Sequence, residues 1–420
     1  MESSVIARLT WRLVPFLFLL FLVAYLDRIN VGFAALQMRE QLRFDDAVIG
    51  LGAGVFFAGY FLFQLPSNLI LERVGARRWI AVLLLAWGGV SSAMIFVSTP
   101  RSFYLLRFLL GVAEAGFFPG VILYLRSWFP VGARARTVAR FMTAIPLAGV
   151  VGSPLSGALL GLHGWKMAGW QWLFLLEGLP AVLLSFVVVF YLTDRPADAA
   201  WLPAEQRDWL VETLQREPRG NADIARSEAW AAFASGRIWL LIVVYFGLTA
   251  CSYGITVWLP GMIRSLSGIS NLVIGFVSAI PYVAAAYAMV RVGLHSDRTG
   301  ERRWHVATSA FVGAAALASA AYSASLATVI VALSLAIMAV SAMWGPFWAL
   351  AAGQLNASSA AVGIALINCL GNWGGFFGPY IIGWVRTTSG EFRGGLLVVA
   401  AVMVVSGCLA LEAGRPAKRE

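Results

Sequence analysis

Charge is scarce in this 420-residue chain: Asp, Glu, Lys and Arg make up 12% of it, about half of what a soluble domain carries. That scarcity excludes soluble enzymes, soluble nucleic-acid binders and disordered scaffolds. Cysteine is thin too, at three residues. Cys251, Cys369 and Cys408 lie far apart in apolar runs, which reads as small buried residues and not as a disulfide or metal framework. The three histidines, His163, His295 and His305, show no ligand spacing. No haem, zinc or phosphate-loop motif occurs, so neither a metal nor a cofactor is expected. A cleavable leader is not expected either. The first apolar run, Val14 to Ala35, is too long for a signal core and lacks a small-residue cleavage site, so it reads as a first membrane span.

What is plentiful is apolar: 60% of the chain is hydrophobic and 13% aromatic, with a mean hydropathy of +0.78. At about 20 apolar residues per crossing, this stock fills roughly a dozen bilayer-spanning helices. Apolar windows bounded by charge or turn residues predict twelve, the first beginning near Arg12 and the last near Arg393. The connections are short except for residues 193–236, a polar stretch with Pro196, Pro203 and Pro218 and a helix-like run from Pro203 to Leu214. Its acids are expected to face solvent. This linker divides the chain into a six-span half, 1–192, and a second six-span half, 237–420. The expected fold class is an all-α membrane protein of twelve helices in two halves.

Net charge is +10, and its placement is topological. Arg73, Arg77 and Arg78 follow the second span, Arg134, Arg136 and Arg140 the fourth, and Arg298, Arg302 and Arg303 the eighth. By the positive-inside bias, both termini and the linker are expected on the cytoplasmic face. The basic balance then needs no nucleic-acid partner. The partner expected at this point is the lipid bilayer, and the chain is expected to be a monomer.

An internal repeat is the strongest organisational signal. Val48–Trp79 aligns without a gap onto Val273–Trp304 at a constant offset of 225, and nine of the 32 pairs are identical. The ends match best: Glu72-Arg73-Val-Gly75-Ala-Arg77-Arg-Trp against Asp297-Arg298-Thr-Gly300-Glu-Arg302-Arg-Trp. The acid can cap or pair across a helix end, the glycine allows a tight reversal, and the arginines anchor the loop. Two like-oriented halves follow, the parallel-repeat pattern of transporters.

Charges inside spans are costly unless paired or hydrated, and normally face a cavity. Asp27 and Arg28 lie late in span one, and Arg107 and Glu114 in span four. The latter two, seven residues apart, share a helix face about 10 Å apart along the axis, with Gly111 between them leaving room for close approach. The four form a net-neutral set in which each acid is expected to partner an arginine. At the 225 offset they map onto Ser252, Tyr253, Ala332 and Ala339, so the second half lacks this charge. It offers Tyr245, Trp344, Phe347, Trp348, Asn368 and Asn372 instead. Glu177 lies near the predicted outer end of span six, where a structural or interfacial role is expected.

Gly293-Leu-His-Ser-Asp297-Arg298-Thr-Gly300-Glu-Arg302-Arg303 resembles the signature loop of the major facilitator superfamily. The Glu72, Arg73, Gly75 and Arg77 copy is its degenerate partner, with Asn68 where glycine is preferred. Gly149–Gly157 resembles the fifth-span glycine motif. Tyr25-Leu-Asp27-Arg28-Ile-Asn30, the run from Arg107 through Glu114 to Gly120, and Trp128-Phe-Pro are similar to the anion:cation symporter branch, nearest to bacterial tartrate transporters, with phthalate and aromatic-acid permeases close by. The resemblance implies alternating access by rocking two halves, and a bacterial inner-membrane location. It also implies roles: Arg28 and Arg107 hold the carboxylate, Tyr25 and Tyr60 hydrogen-bond substrate, Asp27 and Glu114 exchange protons, and Asn368 meets substrate from the second half, beside Trp348. The function expected is proton-coupled symport of a small organic anion, a hydroxy-dicarboxylate such as tartrate. An aromatic-carboxylate permease and a non-transporting membrane sensor stand as alternatives. An enzyme is not expected, since no nucleophile–base or metal-ligand constellation lies within the spans.

Overall fold

A computed structural model describes residues 1–217, 235–355 and 360–415. Among these residues no β-strand forms, and the chain runs as helices. In order they are α1 (Glu2–Leu42), α2 (Asp46–Val74), α3 (Ala76–Ala93), α4 (Pro100–Glu114), α5 (Phe117–Trp128), α6 (Val131–Met142), α7 (Ala144–Leu159), α8 (Gly169–Tyr191) and α9 (Ala204–Gln215). The second half supplies α10 (Gly236–Ser265), α11 (Asn271–Thr299), α12 (Arg303–Tyr322), α13 (Leu326–Gly353), α14 (Ala360–Gly371), α15 (Trp373–Ser389) and α16 (Arg393–Ala413). Among the described residues eleven stretches are long and apolar enough to cross a bilayer, with α4 joined to α5 and α6 to α7. The broken pair α14–α15 makes the twelfth crossing.

The repeat seen in the sequence governs helix limits. Both α2 and α11 are 29 residues long and start and stop 225 apart. Asp45 and Ser270, also 225 apart, cap them by accepting the N–H of Val48 and Val273, which satisfies donors that a helix start leaves open. Gly75 (φ 93°) and Gly300 (φ 69°) end them in the left-handed region, where a β-carbon is disfavoured. One boundary departs from expectation: α1 begins at Glu2, about ten residues before Arg12. At 1.5 Å per residue its 41 residues span about 60 Å, roughly twice the hydrocarbon thickness. The apolar window could not reveal this, because Glu2, Ser3, Ser4, Arg8 and Thr10 interrupt the apolar residues of the extension.

The first part of the linker is fastened to the first half. Tyr124 donates to the Thr193 carbonyl at 2.9 Å, Trp201 stacks on Trp128 at 5.5 Å, and the Arg12 guanidinium lies over the Tyr191 and Trp201 rings. Two linker acids expected to face solvent are instead tied in: Asp194 to Arg77 at 3.4 Å and Glu217 to Arg134 at 2.5 Å. The helix-like run appears as α9; residues 218–234 lie outside the described residues.

Among the described residues the halves meet chiefly through three helix pairs, α1 with α10, α2 with α15 and α7 with α11. On the side away from the Gly75 and Gly300 reversals, this contact is backbone against backbone. An added β-carbon would stand 2.6 Å from the Pro379 carbonyl at Gly50, 2.5 Å from the Ser153 carbonyl at Gly275 and 2.6 Å from the Asn271 carbonyl at Gly157. Asp46 closes the same rim, pairing with Arg39 of its own half and with Arg386 of the other, the latter at 3.2 Å. The Ala47 N–H adds a bond to Thr387 Oγ1 at 2.8 Å. That rim is sealed.

Candidate functional site

The expected charge set centres on Arg28. Its Nε and Nη2 both donate to Glu114 Oε2, at 3.2 and 3.1 Å, and its Nη1 donates to the Tyr253 hydroxyl at 3.0 Å. The Tyr25, Phe56 and Tyr60 rings lie 5.2 to 5.5 Å from the guanidinium, close enough for cation–π attraction. Tyr25 and Tyr253 hydroxyls stand 3.4 Å apart. The Arg28 side chain keeps 11% of its surface open, against 1% for Glu114, so the arginine is the accessible member. Glu114 Oε1 is buried without a partner.

Close helix crossing places this pair. A β-carbon at Gly59 would meet the Phe108 carbonyl at 2.3 Å, and one at Gly111 the Phe56 carbonyl at 1.9 Å, so α2 and α4 touch along their backbones. The room that Gly111 leaves is filled by α2. That contact also brings Arg107 against α2, where Nε donates to the Gly52 carbonyl at 3.3 Å and the guanidinium lies 5.0 Å from the Phe56 ring. Arg107 Nη1 is buried without a partner. Among the described residues no ion pair within 4.0 Å joins Arg107 to either acid.

The expected set of four therefore divides. Asp27 does not partner an arginine. It turns toward α3, where Oδ2 accepts from Trp87 Nε1 at 2.7 Å and Oδ1 from Ser91 Oγ at 2.5 Å, with Asn30 Nδ2 adding a third bond at 3.1 Å. The cause is helical geometry: adjacent residues point about 100° apart, so α1 offers Arg28 to the region where Glu114 and, from the other half, Tyr253 meet, and Asp27 to α3 of its own half. Glu177, expected near the outer end of its span in a structural or interfacial role, lies inside the first half. It is 1% exposed, eight residues in from the start of α8, and takes a bond from Ser156 Oγ at 2.7 Å.

The second half presents aromatic and amide groups. Tyr245 stacks on Phe347 at 5.2 Å, meets Trp344 edge-on at 5.6 Å and lies 5.1 Å from Trp348. Its hydroxyl donates to Asn368 Oδ1 at 3.2 Å, and Asn372 Nδ2 reaches the same oxygen at 3.1 Å. Asn372 sits at the break between α14 and α15, and its amide also bonds the Asn368 carbonyl at 2.6 Å. Tyr245 lies within electrostatic reach of Arg28 and Tyr60. Tyr253 is the partner that reading the residues passed over. It is the 225-offset counterpart of Arg28, so repeat-related positions on α1 and α10 face each other where the halves meet.

The loop motifs are asymmetric. Asp297 pairs with Arg302 at 2.7 Å, and Arg302 also donates to Ser296 Oγ at 2.9 Å. Arg298 is exposed and Gly293 open on its Cβ side. In the first half Glu72 and Arg73 are exposed, and Asp194 from the linker takes the acid's place, accepting the Arg77 N–H at 2.9 Å. Among the described residues no group of three or more potential metal ligands gathers.

Twelve bilayer-crossing segments in two repeat-related halves, sealed along one rim and sharing a partly buried guanidinium where they meet, define a membrane carrier. Comparison with known proteins places it further: the chain belongs to the Major Facilitator Superfamily, whose family model matches residues 17–379. It is accordingly a transporter and not an enzyme. It is 50% identical over 418 residues to a protein of Agrobacterium vitis named "Putative tartrate transporter", covering 99% of this chain and 96% of that one. It is 40% identical over 404 residues to the "Quinolone resistance transporter" of Acinetobacter baumannii, covering 96% and 93%. In fold it is similar to a bacterial homolog of the human lysosomal transporter Spinster, solved inward-facing and unoccupied, with a TM-score of 0.80 at 16% identity over 99% of this chain and 97% of that one.

Proposed function

We propose that the protein moves a small hydroxy-dicarboxylate of the tartrate class across a bacterial inner membrane together with protons, as a monomer with both termini in the cytoplasm. The observation that carries this reading is the division of the Arg28 donors between Glu114 Oε2 and Tyr253. An incoming carboxylate must compete with Glu114 for that guanidinium. Protonating Glu114, whose Oε1 has no partner, removes the competitor and frees Arg28 for a bidentate contact. Proton and anion then favour each other, and the linkage is reciprocal. Because Tyr253 belongs to the other half, a ligand on Arg28 also alters a contact between halves, which ties occupancy to rocking. Arg107, with a free donor behind Phe56, supplies a second positive charge for the second carboxylate, while Asn368 and Trp348 meet substrate from the opposite wall. The 50% identical relative supports the substrate class, and the arginine excess after spans two, four and eight supports the orientation.

A second reading is favoured by the rings around Tyr245: an aromatic carboxylate could stack there. Proteoliposome uptake of labelled tartrate, with phthalate as competitor, separates the two. Glu114→Gln should keep tartrate exchange and lose uphill accumulation driven by a proton gradient. Full accumulation in that variant would overturn the mechanism, and stronger binding of phthalate than of tartrate would overturn the substrate class.

A further inference from the structure

A second acid lies behind α1, unused by the mechanism above. Glu177 of α8 is 1% exposed and has one hydrogen-bond donor, Ser156 on α7; its Oε2 has no partner. The Asn30 amide lies against it. The same amide donates to Asp27, and Asn30 Oδ1 is a buried acceptor without a donor. Asn30 and Arg28 point roughly 160° apart on the helix, so this cluster faces away from the site where the halves meet.

Donor counts separate the two carboxyls. Asp27 accepts three bonds, from Trp87, Ser91 and Asn30, enough to hold an ionised, acceptor-only group. Glu177 accepts one, and Asp27 is the charged neighbour acting on it among the described residues. The remaining contacts named around the pair, from α3 and α7, are neutral: Trp87, Ser91 and Ser156. Arg107 acts on Asp27 and not on Glu177. A bare carboxylate so placed would be a desolvated charge with one neutral partner, a costly arrangement. One proton on Glu177 Oε2 removes that charge.

We propose that Glu177 is a proton-holding site: in this conformation it is the protonated, and Asp27 the ionised, member of a carboxyl pair joined through the Asn30 amide. A neutral Glu177 leaves Asp27 the single negative charge behind α1, which makes Asp27 the member that titrates. That consequence for coupling rests on the function proposed above; the protonation itself does not.

Infrared spectroscopy of the purified, substrate-free carrier at neutral pH tests it, since a protonated carboxyl gives a free-acid carbonyl band that shifts in deuterated solvent. The band is expected in the unaltered protein and in Glu114→Gln, and lost in Glu177→Gln. Ser156→Ala, which keeps the acid and removes the bond to its carbonyl oxygen, is expected to raise the band's frequency, and decides the matter should Glu177→Gln fail to fold. The pH midpoint of substrate exchange should not move in Glu177→Gln, because a neutral side chain replaces a neutral one. A missing band, a band that survives Glu177→Gln, a band unmoved by Ser156→Ala, or a displaced midpoint overturns the proposal. The infrared arm uses no substrate, so its outcome is independent of the transport reading.

Discussion

Neutralising Asp46 should open the sealed rim. Of its two partners, Arg39 belongs to the same half, so the ion pair with Arg386 at 3.2 Å is the one that crosses between halves. The three side chains are 16 to 21% exposed, and an ion pair of this partial burial, made without a hydrogen bond from Arg386 Nη1, is worth about 1 kcal/mol, the upper end of the surface range. About 1 kcal/mol is roughly a fivefold change in a two-state equilibrium. Asp46→Asn also leaves Arg39 and Arg386, which already act on each other, without the acid between them. Their repulsion adds to the loss, whereas Arg386→Gln breaks the same ion pair and removes one of the two charges. The expected order is therefore a larger shift for Asp46→Asn than for Arg386→Gln. Spin labels at His163 and Gly268, exposed on the connections between α7 and α8 and between α10 and α11, report it as growth of a longer-distance population. An unchanged distribution in Asp46→Asn, or a larger shift in Arg386→Gln, would refute the reasoning.

Other substitutions bear on the site and its supports. Tyr253→Phe removes one hydrogen bond to Arg28 from the other half; substrate affinity should change by about tenfold or less, with the melting temperature nearly unmoved, as read by binding and thermal scans. Gly111→Ala drives a β-carbon to 1.9 Å from the Phe56 carbonyl, so α2 and α4 must separate. A cost of about 1–3 kcal/mol is typical of overpacking, with a lower melting temperature and weaker binding together. Gly300→Ala forces a side chain onto φ 69° and should destabilise by about 1 kcal/mol, visible in thermal scans while affinity is kept.

Much of the architecture could be read from the residues because the repeat carries it. The offset of 225 anticipates the common run of α2 and α11 and their reversals at Gly75 and Gly300, whereas the caps at Asp45 and Ser270 lie just outside the aligned stretch. The pair Arg28 and Glu114 could be singled out as charges in apolar runs, since the cost of burying them is local to each span. What stayed hidden depends on which side of a helix faces which neighbour. Asp27 and Arg28 are adjacent in sequence but belong to different environments, and the donors to Asp27 come from Trp87 and Ser91, which are unremarkable in any window. Tyr253 was already the arithmetic counterpart of Arg28, yet that a repeat axis makes counterparts touch is a three-dimensional fact. Asp194 replacing Glu72 as the partner of Arg77 is of the same kind, a tertiary contact supplied by the linker.

Where Gly50, Gly157 and Gly275 let main chain rest on main chain, parting the two bodies asks no bulky group to change rotamer or retreat from a socket. The surfaces are smooth at atomic scale, so they can fit tightly and still release quickly, as a turnover cycle demands. A methyl group added at any of these points would act as a wedge, and would trap the carrier in the posture that gapes on that side.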